Sequence, residues 1–89
     1  MCRNIKVLFN FDPGATDEEI KNASVQYVRK ISGSTKPSKM NEEAFQKAVE
    51  EITASTQTLL RSFSTNAEPK NREVEAERAK LRAQKRFQN

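Results

Sequence analysis

Cys2 carries the most distinctive chemistry near the start of the chain. Removal of Met1, which a small second residue permits, would leave a free 1,2-aminothiol there. Such a group can chelate a metal or act as a nucleophile, with its own α-amine, of pKa about 7.7–8.0, as a nearby base. The sequence has no histidine to activate the thiol and no second cysteine to resolve it. We therefore favour a small packed side chain, and a thiol- or metal-dependent activity centred on Cys2 is the alternative.

A basic loop is the second candidate site. Its cations surround a run of small residues that leads into a long predicted helix: Arg29, Lys30, Lys36 and Lys39. Free backbone N–H groups at such a helix start, together with these cations, suit a phosphate or a carboxylate. The stretch is not a P-loop, because a second glycine before the lysine and a preceding strand are both missing. A flexible, solvated hairpin loop is the simpler interpretation.

A basic stripe on the last predicted helix is the third candidate. Its members share about one third of the helical circumference: Arg78, Arg82, Lys85 and Arg86. The stripe suits a phosphate backbone, but Glu75 interrupts it and no aromatic residue lies within it for base stacking. A solvated charged helix is the more common outcome of such a pattern.

Carboxylates and hydroxyls add no catalytic constellation. Three glutamates flank Lys47 at helical spacing, which indicates a salt-bridge ladder on a solvated face. Carboxylate-bridged metal sites in helical bundles use a Glu-x-x-His motif, which a chain without histidine cannot supply. Thr56 lies within an apolar stripe, where its hydroxyl can bond back to a carbonyl one turn earlier. We expect no cofactor, no metal and no catalytic residue, so an enzyme is the less favoured class.

Composition bounds the class of protein. Eighty-nine residues, of which 35% are apolar and 31% charged, allow one small domain with a thin stability margin, which dimerisation would supplement. The net charge of +4 favours acidic partners, namely nucleic acid, an anionic membrane surface or an acidic protein. The longest run of large apolar residues is 7–9, so we expect no membrane span and no signal peptide, and a cytoplasmic location by default.

The longest amphipathic stretch organises the predicted fold. Its apolar stripe recurs at helical spacing: Phe45, Ala48, Val49, Ile52, Thr56, Leu59, Leu60 and Phe63. Asn41 is a suitable N-cap, and Met40 can close on Phe45 as a hydrophobic staple. We predict a helix over about 42–63, which needs a second element to cover its stripe.

A capping box predicts the start of the partner helix. Thr16 is its N-cap and Glu19 its third helical residue, and Gly33 is a suitable stop. The apolar stripe of this helix is shorter: Ile20, Ala23, Tyr27, Val28 and Ile31. The link of eight residues, 33–40, suits an antiparallel helical hairpin and is too long for a DNA-reading helix-turn-helix.

Both chain ends are expected to lie against this hairpin. Ile5, Val7, Phe9 and Phe11 alternate with Lys6, Leu8 and Asn10 at the period of a strand, but no second strand candidate is visible. We favour an apolar arm packed on the helices. Pairing of the arm with its own copy in a homodimer, and a short helical turn capped by Asn4, stay open.

The predicted fold class is therefore all-α. It comprises an antiparallel helical hairpin, about 17–32 and 42–63, a peripheral charged C-terminal helix, about 70–87, and the N-terminal arm. Residues 1–67 form the arm and the hairpin core, and residues 68–89 add the charged helix to the same single domain.

Several strings in this chain resemble a known family. They are residues 2–5, 8–11, 15–20, 27–33, 36–38 and 72–76, with Asn41 and Phe45 between them. Over nearly its whole length the chain is similar to the bacterial family catalogued as domain of unknown function 2277. The resemblance implies a small stand-alone bacterial protein, and it implies no activity, cofactor or catalytic residue.

Two hypotheses from different classes follow. The leading one is a non-enzymatic binding or adaptor module that engages a protein or an acidic partner such as nucleic acid. It is favoured because positive charge collects toward both ends, at net +3 for residues 1–40 and for residues 68–89, and no catalytic constellation accompanies it. The alternative is the thiol- or metal-dependent activity at Cys2.

Overall fold

A computed structural model describes residues 3–87, apart from the side chain of the last of them. In chain order, its elements are strand β1 (Phe11–Asp12), helix α1 (Asp17–Ser32), a 3₁₀ turn (Lys39–Asn41), helix α2 (Glu42–Ser62), strand β2 (Lys70–Asn71) and helix α3 (Arg72–Phe87). The predicted all-α class is confirmed, because helices make up most of the chain and α1 packs on α2. No helix within residues 3–87 has the length and apolar character needed to cross a bilayer.

Helix α1 has the predicted bounds because both of its ends carry strong local signals. At its start, the Thr16 hydroxyl accepts the Glu19 backbone N–H at 3.1 Å, and the Glu19 carboxylate accepts the Thr16 backbone N–H at 2.9 Å. At its end, Gly33 has φ +70°, a left-handed conformation that a glycine adopts without a steric cost. The capping box and the glycine stop are both confirmed.

Helix α2 begins as predicted but is capped differently. Asn41 makes no side-chain hydrogen bond to the helix, because the 3₁₀ turn places its backbone near helical values, at φ −104° and ψ −3°. Its amide instead donates to the Ser38 hydroxyl at 3.1 Å. Asn41 is therefore at the N-cap position, as predicted, but its side chain does not cap the helix, and Phe63, predicted as the last helical residue, is extended and lies just beyond Ser62.

The interior between α1 and α2 is small. Four apolar side chains are buried in the described part of the chain: Leu8, Ile20, Val28 and Val49. Ser24 is buried beside them, and its hydroxyl donates to the Ile20 carbonyl at 3.0 Å. The Thr56 hydroxyl donates to the Ile52 carbonyl at 2.7 Å, which confirms the predicted back-bond. Both predicted stripes contain exposed residues toward their C-terminal ends: Tyr27, Ile31, Leu59 and Phe63.

The antiparallel arrangement is visible in one polar contact. The Gln57 amide, late in α2, donates to the Asp17 carboxylate at the start of α1 at 3.1 Å. Among the described residues, α1 and α2 make their extensive helix contacts with each other, so the buried strip of each is narrower than its apolar stripe. That geometry explains why the flanking apolar residues stay in contact with solvent.

The N-terminal arm lies across the helices, as favoured, but its predicted alternation is wrong. Leu8, predicted to be on the opposite face, is buried, whereas Val7 is exposed. The arm bends over residues 3–6 instead of extending regularly, so a period of two does not hold. The Asn4 backbone N–H donates to the Gln26 side chain at 2.8 Å and fastens the arm to α1.

A second strand does exist, contrary to the prediction. Strand β2 pairs with β1 in parallel, with Phe11 opposite Lys70 and Asp12 opposite Asn71. Each strand has two residues, and a segment that short leaves no periodic pattern in the sequence.

Asn10, the residue just before β1, connects the arm to the segment that leads into β2. Its φ of +64° lies in the left-handed region, which asparagine tolerates better than most residues. Its amide donates to the carbonyls of Ala67 and Glu68, at 3.4 and 3.1 Å, and its own carbonyl accepts the Lys70 N–H at 2.8 Å. One side chain thus joins the arm to the linker before α3.

The molecule is flat. Its extents are 46 × 37 × 15 Å, and its radius of gyration is 16.1 Å. A compact chain of this length would have a radius of gyration of about 12 Å. Helix α3 makes its main contacts with β2 and exposes most of its side chains, so it adds little to the packed interior of the hairpin and raises the radius of gyration.

Val49 tests where the stability of this small interior lies. It is 2% exposed, and we expect Val49→Ala to lower the free energy of unfolding by about 2 kcal/mol, through lost burial and a residual cavity. Val74→Ala is the matched control, because Val74 is also helical but 46% exposed. We expect a change within about 0.5 kcal/mol there. Urea unfolding followed by circular dichroism measures both, and equal effects would place the core elsewhere.

Candidate functional site

Arg72, the first residue of α3, joins three separate parts of the chain. Its guanidinium donates to both carboxylate oxygens of Glu19 in α1, at 2.8 and 2.9 Å. Its Nε donates to the carbonyl of Pro13 at 2.6 Å, and the guanidinium carbon lies 5.7 Å from the centre of the Phe11 ring. The start of α3 is therefore held against α1 and against the end of the arm by one side chain.

The Glu19 carboxylate is correspondingly perturbed. The hydrogen bonds from Arg72, and then that from the Thr16 backbone N–H, lower its pKa from 4.5 to about 2. The same pair raises the pKa of Arg72. A carboxylate that accepts this many donors stays ionised at neutral pH, so Glu19 is a structural anion and is poorly suited to proton transfer.

A groove of about 520 Å³ lies between the arm and α3, and we name it the arm–helix groove. It is lined by Lys6, Val7, Leu8 and Phe11 of the arm, Glu19 of α1, and Arg72, Glu75, Ala76, Ala79 and Arg82 of α3. Half of these residues are apolar, and they come from both walls: three from the arm and two, the alanines one turn apart, from α3. Its volume is within the usual range of ligand pockets.

The charges around this groove do not cancel. Its two carboxylates are already committed, Glu19 to Arg72, and Glu75 to Arg78 at 3.4 Å. Lys6 and Arg82 have no ion-pair partner among the residues that the structure describes. The groove therefore combines an apolar lining with uncompensated positive charge, which suits a ligand that has an apolar group and an anion.

The basic stripe predicted on α3 is divided by the fold. Arg78 is paired with Glu75, and Arg82 turns toward the arm–helix groove, while Lys85 and Arg86 are exposed further along the helix. As a surface for a phosphate backbone the stripe stays a prediction.

The basic loop lies at the link end of the hairpin. Arg29 donates from Nε to the Thr35 carbonyl at 3.0 Å, so this cation helps to hold the loop. Lys30 is in the last turn of α1, and Lys36 and Lys39 are exposed along the link. A cavity of about 340 Å³ beneath the loop is lined by Val28, Ser32, Ser34, Pro37, Asn41, Ala44, Phe45 and Ala48. The four predicted cations are not in its lining, and their role as an anion site stays a prediction.

The remaining candidates are the Cys2 thiol, a metal site and the salt-bridge ladder. Cys2 lies outside the described residues. Within residues 3–87, no group of three or more histidine, cysteine, aspartate or glutamate side chains is placed to hold a metal ion. The predicted salt-bridge ladder contributes Lys47 and Glu51, whose charged atoms are 3.9 Å apart on the exposed face of α2.

Sequence reasoning missed three residues of this site: Lys6, Asn10 and Arg72. A signal for Arg72 was present, because a cation in the first turn of a helix is disfavoured by the helix dipole unless it has a nearby anion. Its position at the start of α3 therefore pointed to a nearby carboxylate, but Glu73 and Glu75 lie in the same turn, so the sequence did not single out Glu19. For Lys6 and Asn10 no comparable signal exists, since their roles depend on where the arm lies.

Comparison with known proteins identifies one family. The family model described as an uncharacterized conserved protein, DUF2277, matches residues 1–78, which include the arm, the hairpin and the first half of α3. No curated protein matches the chain. No solved structure matches it either.

The pair of Glu19 and Arg72 makes a pH-dependent contribution to stability. The pKa of Glu19 is lower in the folded state than in the unfolded chain. The ionised carboxylate therefore contributes its full share to the free energy of unfolding above about pH 5, and this share is lost as the pH falls toward 2. We expect Glu19→Gln to be less stable than the native protein at pH 7, with the two unfolding free energies converging in acid.

Urea unfolding at a series of pH values measures this convergence. Asp17→Asn is a control, because Asp17 neighbours Glu19 and pairs with the Gln57 amide instead of a cation. A stability difference between Glu19→Gln and the native protein that is the same at pH 7 and near pH 2 would contradict the assignment.

Proposed function

We propose that this chain, which belongs to the DUF2277 family of uncharacterized conserved proteins, is a binding module whose arm–helix groove takes an acidic, partly apolar segment of a protein partner. The observation that carries the proposal is the composition of the groove. Its lining is apolar over half of its residues, and its unpaired charges, on Lys6 and Arg82, are both positive. A segment that places a carboxylate beside an apolar side chain complements both features.

A protein segment fits this groove better than a nucleic acid does. Sequence-independent binding of single strands uses a row of cations along the backbone together with aromatic side chains for stacking. Here Glu75 interrupts the cations of α3, and Phe11, the aromatic residue of the groove, already lies near Lys70 and Arg72. The alanine positions of α3 leave room for side chains of a partner and offer no donor to a phosphate.

Binding is favoured over catalysis by the state of the ionisable groups. The strongly perturbed carboxylate of the groove, Glu19, is saturated by Arg72 and by the cap of α1. A residue so committed positions elements of the fold and is not poised to exchange a proton near neutral pH. The exposed cations Lys6 and Arg82 suit recognition, and we expect their attraction to weaken as salt increases.

A random peptide library displayed on phage tests the proposal directly. We expect selection on the native protein to enrich peptides that combine aspartate or glutamate with a large apolar residue. The double variant Lys6→Glu, Arg82→Glu should bind an enriched peptide about tenfold more weakly, because both cations at the groove are reversed. Fluorescence anisotropy of the labelled peptide measures the loss.

Lys80→Glu is the matched control, since Lys80 is on α3 but is not in the lining of the groove. It should retain the affinity of the native protein within a factor of about two. Enriched peptides without an acidic bias would contradict the proposal. The proposal would also be contradicted if the native protein bound random DNA at about 50 mM salt and the double variant Lys6→Glu, Arg82→Glu did not. Nucleic acid would then be the occupant of the groove.

A further inference from the structure

One face of the helical hairpin is apolar and uncovered. A cavity of about 260 Å³ on this face is lined by Ile5, Lys6 and Leu8 of the arm, Ala23 and Tyr27 of α1, and Ile52, Thr56 and Leu60 of α2. Ile31 continues the row of α1 one turn beyond Tyr27, and Leu59 continues the row of α2 beside Leu60. We name this surface the apolar hairpin face.

We propose that the apolar hairpin face binds the same face of a second copy of this chain, forming a two-fold symmetric dimer. This surface is separate from the lining that α3 gives to the arm–helix groove, so the inference does not depend on the proposed function. Pairing identical faces closes the assembly at two copies, as a two-fold axis requires.

The exposed apolar area is adequate for such an interface. Ile31 is 72% and Leu59 54% exposed, and Ile5 and Tyr27 are each more than two-fifths exposed. These four side chains present on the order of 400 Å² of apolar surface, taking roughly 150–200 Å² for a fully exposed large side chain. A standard interface buries about 800 Å² per partner, of which a little over half is apolar. The face therefore matches the apolar share of one side of a stable dimer.

The thickness of the molecule points to the same partner. Domains are built from two packed layers around one core, and a helix with its side chains is about 10–12 Å across. The shortest extent of this chain is 15 Å, against 46 and 37 Å for the other two, and α1 and α2 pack mainly on each other. A second hairpin laid on the apolar face would supply a second layer and would bury the stripe ends that α1 and α2 leave exposed.

The chemistry of the face favours an apolar occupant. The Thr56 hydroxyl within it is already satisfied by the Ile52 carbonyl, so it requires no polar partner. The charged residues Lys47 and Glu51 pair on the opposite, solvated side of α2. Lys6 is the charged residue of this lining. It belongs to the arm, and its long stem can lie along apolar surface with the ammonium in water. An identical apolar face is complementary to this arrangement.

Sedimentation equilibrium of the full chain tests the proposal. We expect the native protein at about 100 µM to have twice the chain mass of 10.2 kDa, with a dissociation constant in the micromolar range. Ile31→Glu and Leu59→Glu should each raise that constant at least tenfold, because each places a charge within the buried area. Circular dichroism confirms that each variant remains helical, and Ile31, the more exposed of the two, is the safer for the fold.

Met40→Glu is the matched control, because Met40 is 89% exposed but lies in the 3₁₀ turn and is not in the lining of this face. It should leave the dimer intact, and so should Arg82→Glu, which alters the arm–helix groove. Added salt should not weaken the dimer, since both copies are positively charged and salt screens their repulsion. A native protein that is monomeric at about 100 µM would overturn the proposal. A dimer that survives Ile31→Glu and Leu59→Glu would also overturn it.

Discussion

The Glu19 carboxylate is the constraint on which the arrangement of this small protein depends. It accepts the Thr16 N–H that caps α1, and it receives both terminal nitrogens of Arg72, which begins α3. The same arginine reaches the Pro13 carbonyl at the end of the arm. One anion therefore takes part in the capping box at the start of α1. Through Arg72 it also links this helix start to the end of the arm and to the start of α3. The other contacts that attach the start of α3 are the bond from Arg72 to Pro13, the two-residue strand pair and Asn10.

An element held at one end is expected to be less stable than the rest. An isolated helix of this length is marginal in water, and α3 exposes nearly all of its described side chains. Val49 and Ile20, by contrast, are buried where α1 meets α2. The structure thus combines a hairpin with a buried interior and a charged helix that is nearly all exposed, and the arm–helix groove lies between the arm and this exposed helix.

What could be predicted from the sequence was local, and what could not was set by tertiary contacts. Thr16, Glu19 and Gly33 determine helix ends through bonds within a few residues, so α1 was predicted with its observed bounds. Leu8 and Val7 were assigned to the wrong faces, because the arm bends and its burial depends on distant helices. The site shares this limit: Glu19 was recognised as a cap, but its partner lies 53 residues away.

The two proposed surfaces, the arm–helix groove and the apolar hairpin face, respond differently to salt. Attraction at Lys6 and Arg82 is electrostatic and weakens with salt, whereas burial at Ile31 and Leu59 is hydrophobic and does not. The groove takes one side of its lining from α3, whose described side chains are mainly charged, whereas the apolar hairpin face takes its lining from α1, α2 and the arm. Because the arm contributes to both, with Leu8 lining both cavities, its placement couples them. A dimer formed at the apolar hairpin face would contact the arm, and the arm also supplies the side of the groove opposite α3.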